Sequence, residues 1–164
     1  MSILSDGKFQ KQLSHLLFEA FSGHPHSVQN EYEIVEKLRS SHSLITEITD
    51  YDGDLLTGYC AFSPLLLNGK PAKWAGAGPL AVLPGYQNKG MGTALMQEGI
   101  RKLQSLGYEG CVLVGDPVFY SRFGFMPHQD MILENIPAEY FLVLSFSGII
   151  PKAKVAFHPA FMES

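Results

Sequence analysis

An apolar strand that runs through a glycine-bearing turn directly into an amphipathic helix leaves a chain few ways to fold, and residues 79–106 carry that pattern. Pro79 to Leu83 is apolar throughout, which predicts a strand covered on both faces. Pro84 and Gly85 end it, because proline has no ladder donor and glycine tolerates turn geometry. Gln87-x-x-Gly90-x-Gly92 follows, and Leu95, Met96, Ile100, Leu103 and Leu106 then recur at helical spacing. With no side chains at 90 and 92, the backbone is exposed where the helix begins. The first N–H groups of a helix have no internal partner and the macrodipole adds partial positive charge, so such a turn suits a phosphate.

Two familiar phosphate loops do not match. No Gly-x-x-x-x-Gly-Lys-Ser/Thr run is present, and Gly90-Met-Gly92-Thr-Ala-Leu95 puts leucine where a dinucleotide loop needs a small residue. The acidic residue of that second pattern is also missing, since Gly110 and Cys111 stand at the expected distance. What remains is Gln-x-x-Gly-x-Gly after an apolar strand ending in Val-x-Pro. It resembles the acyl-CoA pyrophosphate loop of the GNAT-type N-acetyltransferase superfamily.

A length of 164 residues suits one domain, taken as residues 1–164. A net charge of −4 with scattered Lys and Arg argues against a nucleic-acid surface, which needs clustered cations. No apolar run approaches the ~18 residues that span a bilayer, and the amphipathic stretch from Met1 to Phe21 lacks signal-peptide architecture. Cys60 and Cys111 sit in apolar segments and read as buried free thiols, which points to a cytoplasmic location.

In chain order, Met1 to Ser5 has room only for a very short strand. Phe9, Leu13, Leu16, Leu17, Ala20 and Phe21 then predict a helix stopping near Gly23. Asn30 is placed to cap a second helix carrying Ile34, Val35 and Leu38, with Glu31 and Glu33 in its first turn. Leu44 to Thr49 and Leu55 to Phe62 are strand-like around the turn Asp50-Tyr-Asp-Gly53, and Asn68-Gly69 is a second hairpin signal. Cys111 to Val114 is a short buried strand beyond the main helix. The expectation is an α/β (α+β) fold with a mixed central sheet flanked by helices. Tyr140 to Ile150 and Val155 to Phe161 read as sheet strands or as a homodimer surface.

Pro79 inside the organising strand, with Gly78 before it, predicts a disturbed ladder. The strand would then diverge from the one at 111–114, leaving backbone groups of Leu80, Ala81 and Val82 at the opening. A pantetheine arm carries two amides that pair with such groups as an added strand does.

Downstream, Gly115-Asp116-Pro117-Val-Phe119-Tyr120-Ser-Arg-Phe123-Gly124-Phe125 predicts a short helix with Asp116 as cap and Pro117 at its first position, ended by Gly124. In GNAT enzymes a strand, a short Phe-Tyr helix and a Gly-Phe pair follow the pyrophosphate loop, with the tyrosine four residues before the glycine. Tyr120 and Gly124 stand in that relation. The chain resembles the subgroup with Gly-Pro-Leu-Ala-Val-x-Pro before the loop, and His158-Pro159-Ala160-Phe161 resembles its tail. The resemblance implies a single-domain fold whose sheet splays between two parallel strands. It also implies acetyl-CoA as cosubstrate, with Leu80, Ala81, Val82, Gln87, Asn88, Lys89, Gly90, Met91, Gly92, Thr93 and Tyr120 against it, and Tyr120 as general acid for the departing thiolate. A phenol near pKa ~10 stays protonated at neutral pH and fits that task.

The expected activity is transfer of an acetyl group from acetyl-CoA to a primary amine, small molecule or peptide, by direct attack with both substrates bound. There is no Ser-His-Asp or Cys-His pairing to suggest an acyl-enzyme. The family's frequent acidic residue in the organising strand has no counterpart between Trp74 and Leu83, so His24, His26, Glu31 or water stand as alternatives for the base. His24-Pro-His26 lacks a third ligand, and no metal is expected. Two other readings stand beside this one: a non-catalytic acyl-CoA sensor or interaction subunit, and a nucleotide or phosphosugar enzyme using the same turn.

Overall fold

The structure is a computed structural model and describes residues 3–23 and 29–161. Helices α1 (Ile3–Phe21) and α2 (Glu31–Ser40) precede the long strands β1 (Thr46–Asp52), β2 (Leu55–Leu67) and β3 (Lys70–Val82). Helix α3 (Met91–Ser105), β4 (Gly110–Val114) and the one-turn α4 (Pro117–Tyr120) follow. Then come β5 (Met131–Ile132), β6 (Phe141–Ser145) and β7 (Ala153–Phe157). The strands form one mixed sheet in the order β5-β7-β2-β3-β4-β6, with β1 on the other half of the β2 edge that carries β7. The pairs β3–β4 and β5–β7 are parallel, and the rest are antiparallel.

Alternation along β2 explains the layers, because successive side chains point to opposite faces. Tyr59 and Ala61 pack with Leu13, Leu16 and Leu17 of α1 and Val35 of α2. Cys60 and Phe62 point the other way and pack with Leu95, Met96 and Leu103 of α3. Each buried leucine contributes about 2 kcal/mol, several times an exposed ion pair, so these stripes dock the helices. The Gln12 side chain then pins α1 to the β1–β2 hairpin, accepting from Leu56 N–H at 2.8 Å and donating to the Asp54 carbonyl at 3.0 Å.

Several expectations shift at this level. The first strand anticipated at Met1 to Ser5 is absent among the described residues, because α1 already begins at Ile3, where each added residue gains a helical hydrogen bond. Asn30 stands at the N-cap of α2, but its side chain makes no capping bond. The first hairpin turns at Gly53–Asp54, later than read, because both strands keep pairing to Asp52 and Leu55. Pro79 to Leu83 is not covered on both faces: Ala81 and Leu83 are buried under α1, whereas Leu80 and Val82 are only half-buried. Tyr140 to Ile150 and Val155 to Phe161 supply strands β6 and β7.

Candidate active site

Strands β3 and β4 pair only through Trp74–Gly110, Ala75–Cys111 and Gly76–Val112. Past that point β4 continues along β6, while β3 shifts register against β2, so that Leu80 faces Cys60 but Ala77 faces Phe62. Gly78 (φ +132°) and Pro79 occupy this bulge, and proline brings no N–H to the ladder. The sheet therefore splits. Leu83 N–H donates to the Thr57 carbonyl on β2 at 2.9 Å, and peptide groups alternate sides along a strand. The backbone of Leu80 and Val82 accordingly faces the split. Ala81, expected there too, turns its peptide to β2 (Ala81–Tyr59).

The turn beyond β3 is built from Pro84 to Tyr86, with Tyr86 N–H on the Leu83 carbonyl at 2.8 Å. Gln87 folds back, its side-chain amide donating to the Val82 carbonyl at 2.9 Å. That side chain is thus occupied with the strand end. Asn88 (φ +63°) and Gly90 (φ +85°) take left-handed conformations, and α3 starts at Met91. Gly90 is there for its backbone, since a Cβ at this position would meet nothing within 4 Å. The first bond of α3 runs from Ala94 N–H to the Gly90 carbonyl at 3.0 Å, which leaves the amides of Met91, Gly92 and Thr93 ahead of it. The Lys89 ammonium lies 5.9 Å from the Tyr86 ring centre, and the Tyr86 hydroxyl donates to Asp52 at 2.6 Å.

Across the split, Asp116 caps α4 as expected, accepting from Val118 N–H at 2.9 Å, and Gly124 (φ +98°) ends the following turn. The Tyr120 ring lies against the backbone of Gly115, where a Cβ would come within 2.6 Å of Cε2. Tyr120 shares one apolar cluster with Leu80, Val82, Met91 and the buried thiols of Cys60 and Cys111. Burial holds its phenol well above the ordinary value, and Cys60, Cys111 and Asp116 add to the effect. Among the described residues its hydroxyl has no side-chain hydrogen-bond partner. At neutral pH it is a protonated donor.

Of the base candidates, His24 and His26 lie outside the described residues. Glu31 lies at the start of α2 and lines a pocket of about 210 Å³ between α1 and α2, with Leu17, Phe18, Tyr32 and Glu33. Among the described residues no cluster of three or more His, Cys, Asp or Glu is arranged to hold a metal ion. Nor is any described helix long and apolar enough to cross a membrane. Sequence spacing gave no signal for one contact: Arg122 Nη1 donates to the Thr93 hydroxyl at 3.1 Å, across 29 positions.

A family model for the acetyltransferase (GNAT) domain matches residues 41–127, just over half of the chain and the whole of the split-sheet region. The chain belongs to the GNAT acetyltransferase family. A GNAT acetyltransferase from Brucella melitensis, solved in complex with acetyl-CoA, is 37% identical and superposes with a TM-score of 0.81, covering 93% of this chain and 91% of that one. YhbS from Escherichia coli, a GNAT N-acetyltransferase solved with CoA, superposes with a TM-score of 0.83 at 29% identity, over 94% of this chain and 87% of its own. By sequence, the protein named Uncharacterized N-acetyltransferase YhbS of E. coli K12 is 39% identical over 105 residues, 62% of each chain. The alignment thus spans under two thirds of that relative. The expected mixed sheet, splayed between two parallel strands and flanked by helices, is the GNAT fold seen here.

Proposed function

We propose that this GNAT protein is an N-acetyltransferase that takes the acetyl group of acetyl-CoA to a primary amine, small molecule or peptide, with both substrates bound together. The observation that carries the reading is the sheet split bounded by the free amides of α3 on one side and the Tyr120 phenol on the other. The Brucella relative bound to acetyl-CoA supports the choice of cosubstrate, and family membership disfavours the nucleotide and phosphosugar reading.

Acetyl-CoA supplies the acyl group as a thioester, whose carbonyl carbon bonds to the amine nitrogen as the carbon–sulfur bond breaks. Main-chain amides of Asn88 to Thr93 hold the diphosphate, with Gln87 holding the turn to the strand end. Leu80 and Val82 pair with the pantetheine amides in the manner of an added strand, and Ala81 sets their spacing. Tyr120 gives its hydroxyl hydrogen bond to the departing thiolate. Protonated at neutral pH, the phenol serves there as hydrogen-bond donor and general acid to the leaving sulfur. The amine proton passes to His24, His26, Glu31 or water. Two buried free thiols suit a reducing compartment, and we assign the protein to the cytoplasm.

The test is thermal shift with coenzyme A, ATP and NAD, followed by acetyl-CoA turnover with a panel of amines and peptides. Stabilisation by coenzyme A alone and turnover with an amine are expected, and stabilisation by NAD but not coenzyme A would remove the reading. Because no carboxylate lies between Trp74 and Leu83, a sensor role is the second reading, and coenzyme A binding without turnover on any amine would favour it. Tyr120→Phe is expected to lower turnover by about 10²-fold with far less effect on coenzyme A affinity. Equal rates would reduce Tyr120 to packing.

A further inference from the structure

The split that opens the sheet also removes the hydrogen bonds that would hold its two banks at a fixed distance. The amides of α3 stand on the β3 bank and Tyr120 on the β4 bank, and β3–β4 pairing has already ended at Gly76 and Val112. Helix α4 is one turn of four residues, too short to hold its own geometry. Its placement therefore depends on tertiary fasteners.

Arg122 supplies one. Its Nε donates to the Phe119 carbonyl at 2.9 Å and its Nη1 to the Thr93 hydroxyl at 3.1 Å, so one planar guanidinium touches both banks. The guanidinium lies 4.4 Å from the Phe119 ring centre. The Phe119 ring meets that of Tyr120 edge-on at 4.8 Å, and its tip is 3.5 Å from where a Cβ on Gly92 would stand. Among the described residues, no other side-chain hydrogen bond joins α3 to the α4 turn. A cation beside the N-terminus of a helix is disfavoured by the dipole, so its two hydrogen bonds and the ring, and not the helix field, hold it there.

We propose that Arg122 is a positioning residue for acyl transfer: it straps the turn carrying Tyr120 to the first turn of α3, so that phenol and diphosphate-binding amides keep one spacing. The proposal rests on the reading of Tyr120 as donor to the thiolate. Arg122→Met keeps the chain length over Phe119 and removes the donors, while Thr93→Val removes the acceptor and keeps the α3 amide.

The experiment needs no acceptor. Coenzyme A is bound to the full-length protein and its thiol titrated by the ultraviolet absorbance of the thiolate. Tyr120→Phe should raise the apparent pKa of the bound thiol. Arg122→Met and Thr93→Val should each raise it by about half a unit, a roughly threefold change in the thiolate ratio, with coenzyme A affinity kept within about threefold in Arg122→Met. Because Arg122 acts through Tyr120, adding Arg122→Met to Tyr120→Phe should change nothing further. An unmoved thiol pKa in Arg122→Met, or a loss of coenzyme A affinity alone, would make Arg122 a surface residue or a phosphate ligand and overturn the proposal. Additive shifts in the double variant would do the same. If the unaltered protein binds no coenzyme A, the enzyme reading itself falls and takes this proposal with it.

Discussion

Gly90 and Ser63 show opposite ways in which one residue matters here. At Gly90 the φ of +85° strains any L side chain by about 1–2 kcal/mol, and the space above it is open. Gly90→Glu adds a carboxylate where a diphosphate would sit, so coenzyme A affinity is expected to fall by more than about 100-fold in calorimetric titration, roughly 2.7 kcal/mol. Gly90→Ala, which carries only the backbone strain, should lose far less, and unchanged affinity in Gly90→Glu would contradict the phosphate role. Ser63 is fully buried on β2, and among the described residues its hydroxyl has no hydrogen-bond partner. A buried donor left unmet costs about 1–3 kcal/mol, so Ser63→Ala is expected to stabilise the fold by about 1 kcal/mol in urea unfolding. A lower midpoint in the variant would mean the hydroxyl is satisfied in solution.

At the scale of elements, the β2–β3 turn does more than reverse the chain. Asn68 (φ +53°) and Gly69 (φ +79°) make a tight left-handed turn, as that dipeptide signalled. The Asn68 carbonyl oxygen Oδ1 accepts from Lys154 N–H at 2.9 Å, while its backbone N–H donates to the Lys154 carbonyl at 2.9 Å. One residue thus seats β7 against the end of β2. Asn68→Ala should lose both the tolerated positive φ and the side-chain acceptor, destabilising by about 1–3 kcal/mol in chemical unfolding. Asn68→Gly should recover the backbone part alone. Equal stability of all three proteins would show that β7 is held by its apolar contacts without the turn.

The molecule as a whole carries a pH liability in its core. Tyr59, Cys60, Cys111 and Tyr120 are all held above their ordinary values, in each case chiefly by burial, with Glu47 adding at Tyr59. Their folded pKa values exceed the unfolded ones, so their contribution is complete below the unfolded pKa values of about 8.5 to 10 and is lost as pH rises beyond them. Unfolding should therefore become easier above about pH 9, with a slope of up to about 1.4 kcal/mol per pH unit for each group. Urea midpoints at pH 7, 9 and 10.5 check this, and Tyr59→Phe should flatten the upper part of the curve. A midpoint constant to pH 10.5 would contradict it.

What lay in the sequence is what short-range chemistry decides. The strand through Pro79 to Val82, the Gln87–Gly92 turn, α3 from its apolar spacing, and the Asp116 cap and Gly124 of the second turn were all readable, since each depends on residues a few positions apart, whereas Tyr120 was singled out by the family resemblance. The disturbed ladder at Gly78–Pro79 was readable too, because a missing donor is a property of the residue. Tertiary structure alone decided which faces stay open: Leu80 and Val82 are apolar yet half-buried because β4 turns away from them, and Ala81 pairs with β2 because peptide groups alternate. It alone joined Arg122 to Thr93 and Asn68 to Lys154, contacts between positions 29 and 86 residues apart. Sequence patterns carry local conformational preference, whereas pairing partners and burial are properties of the closed sheet.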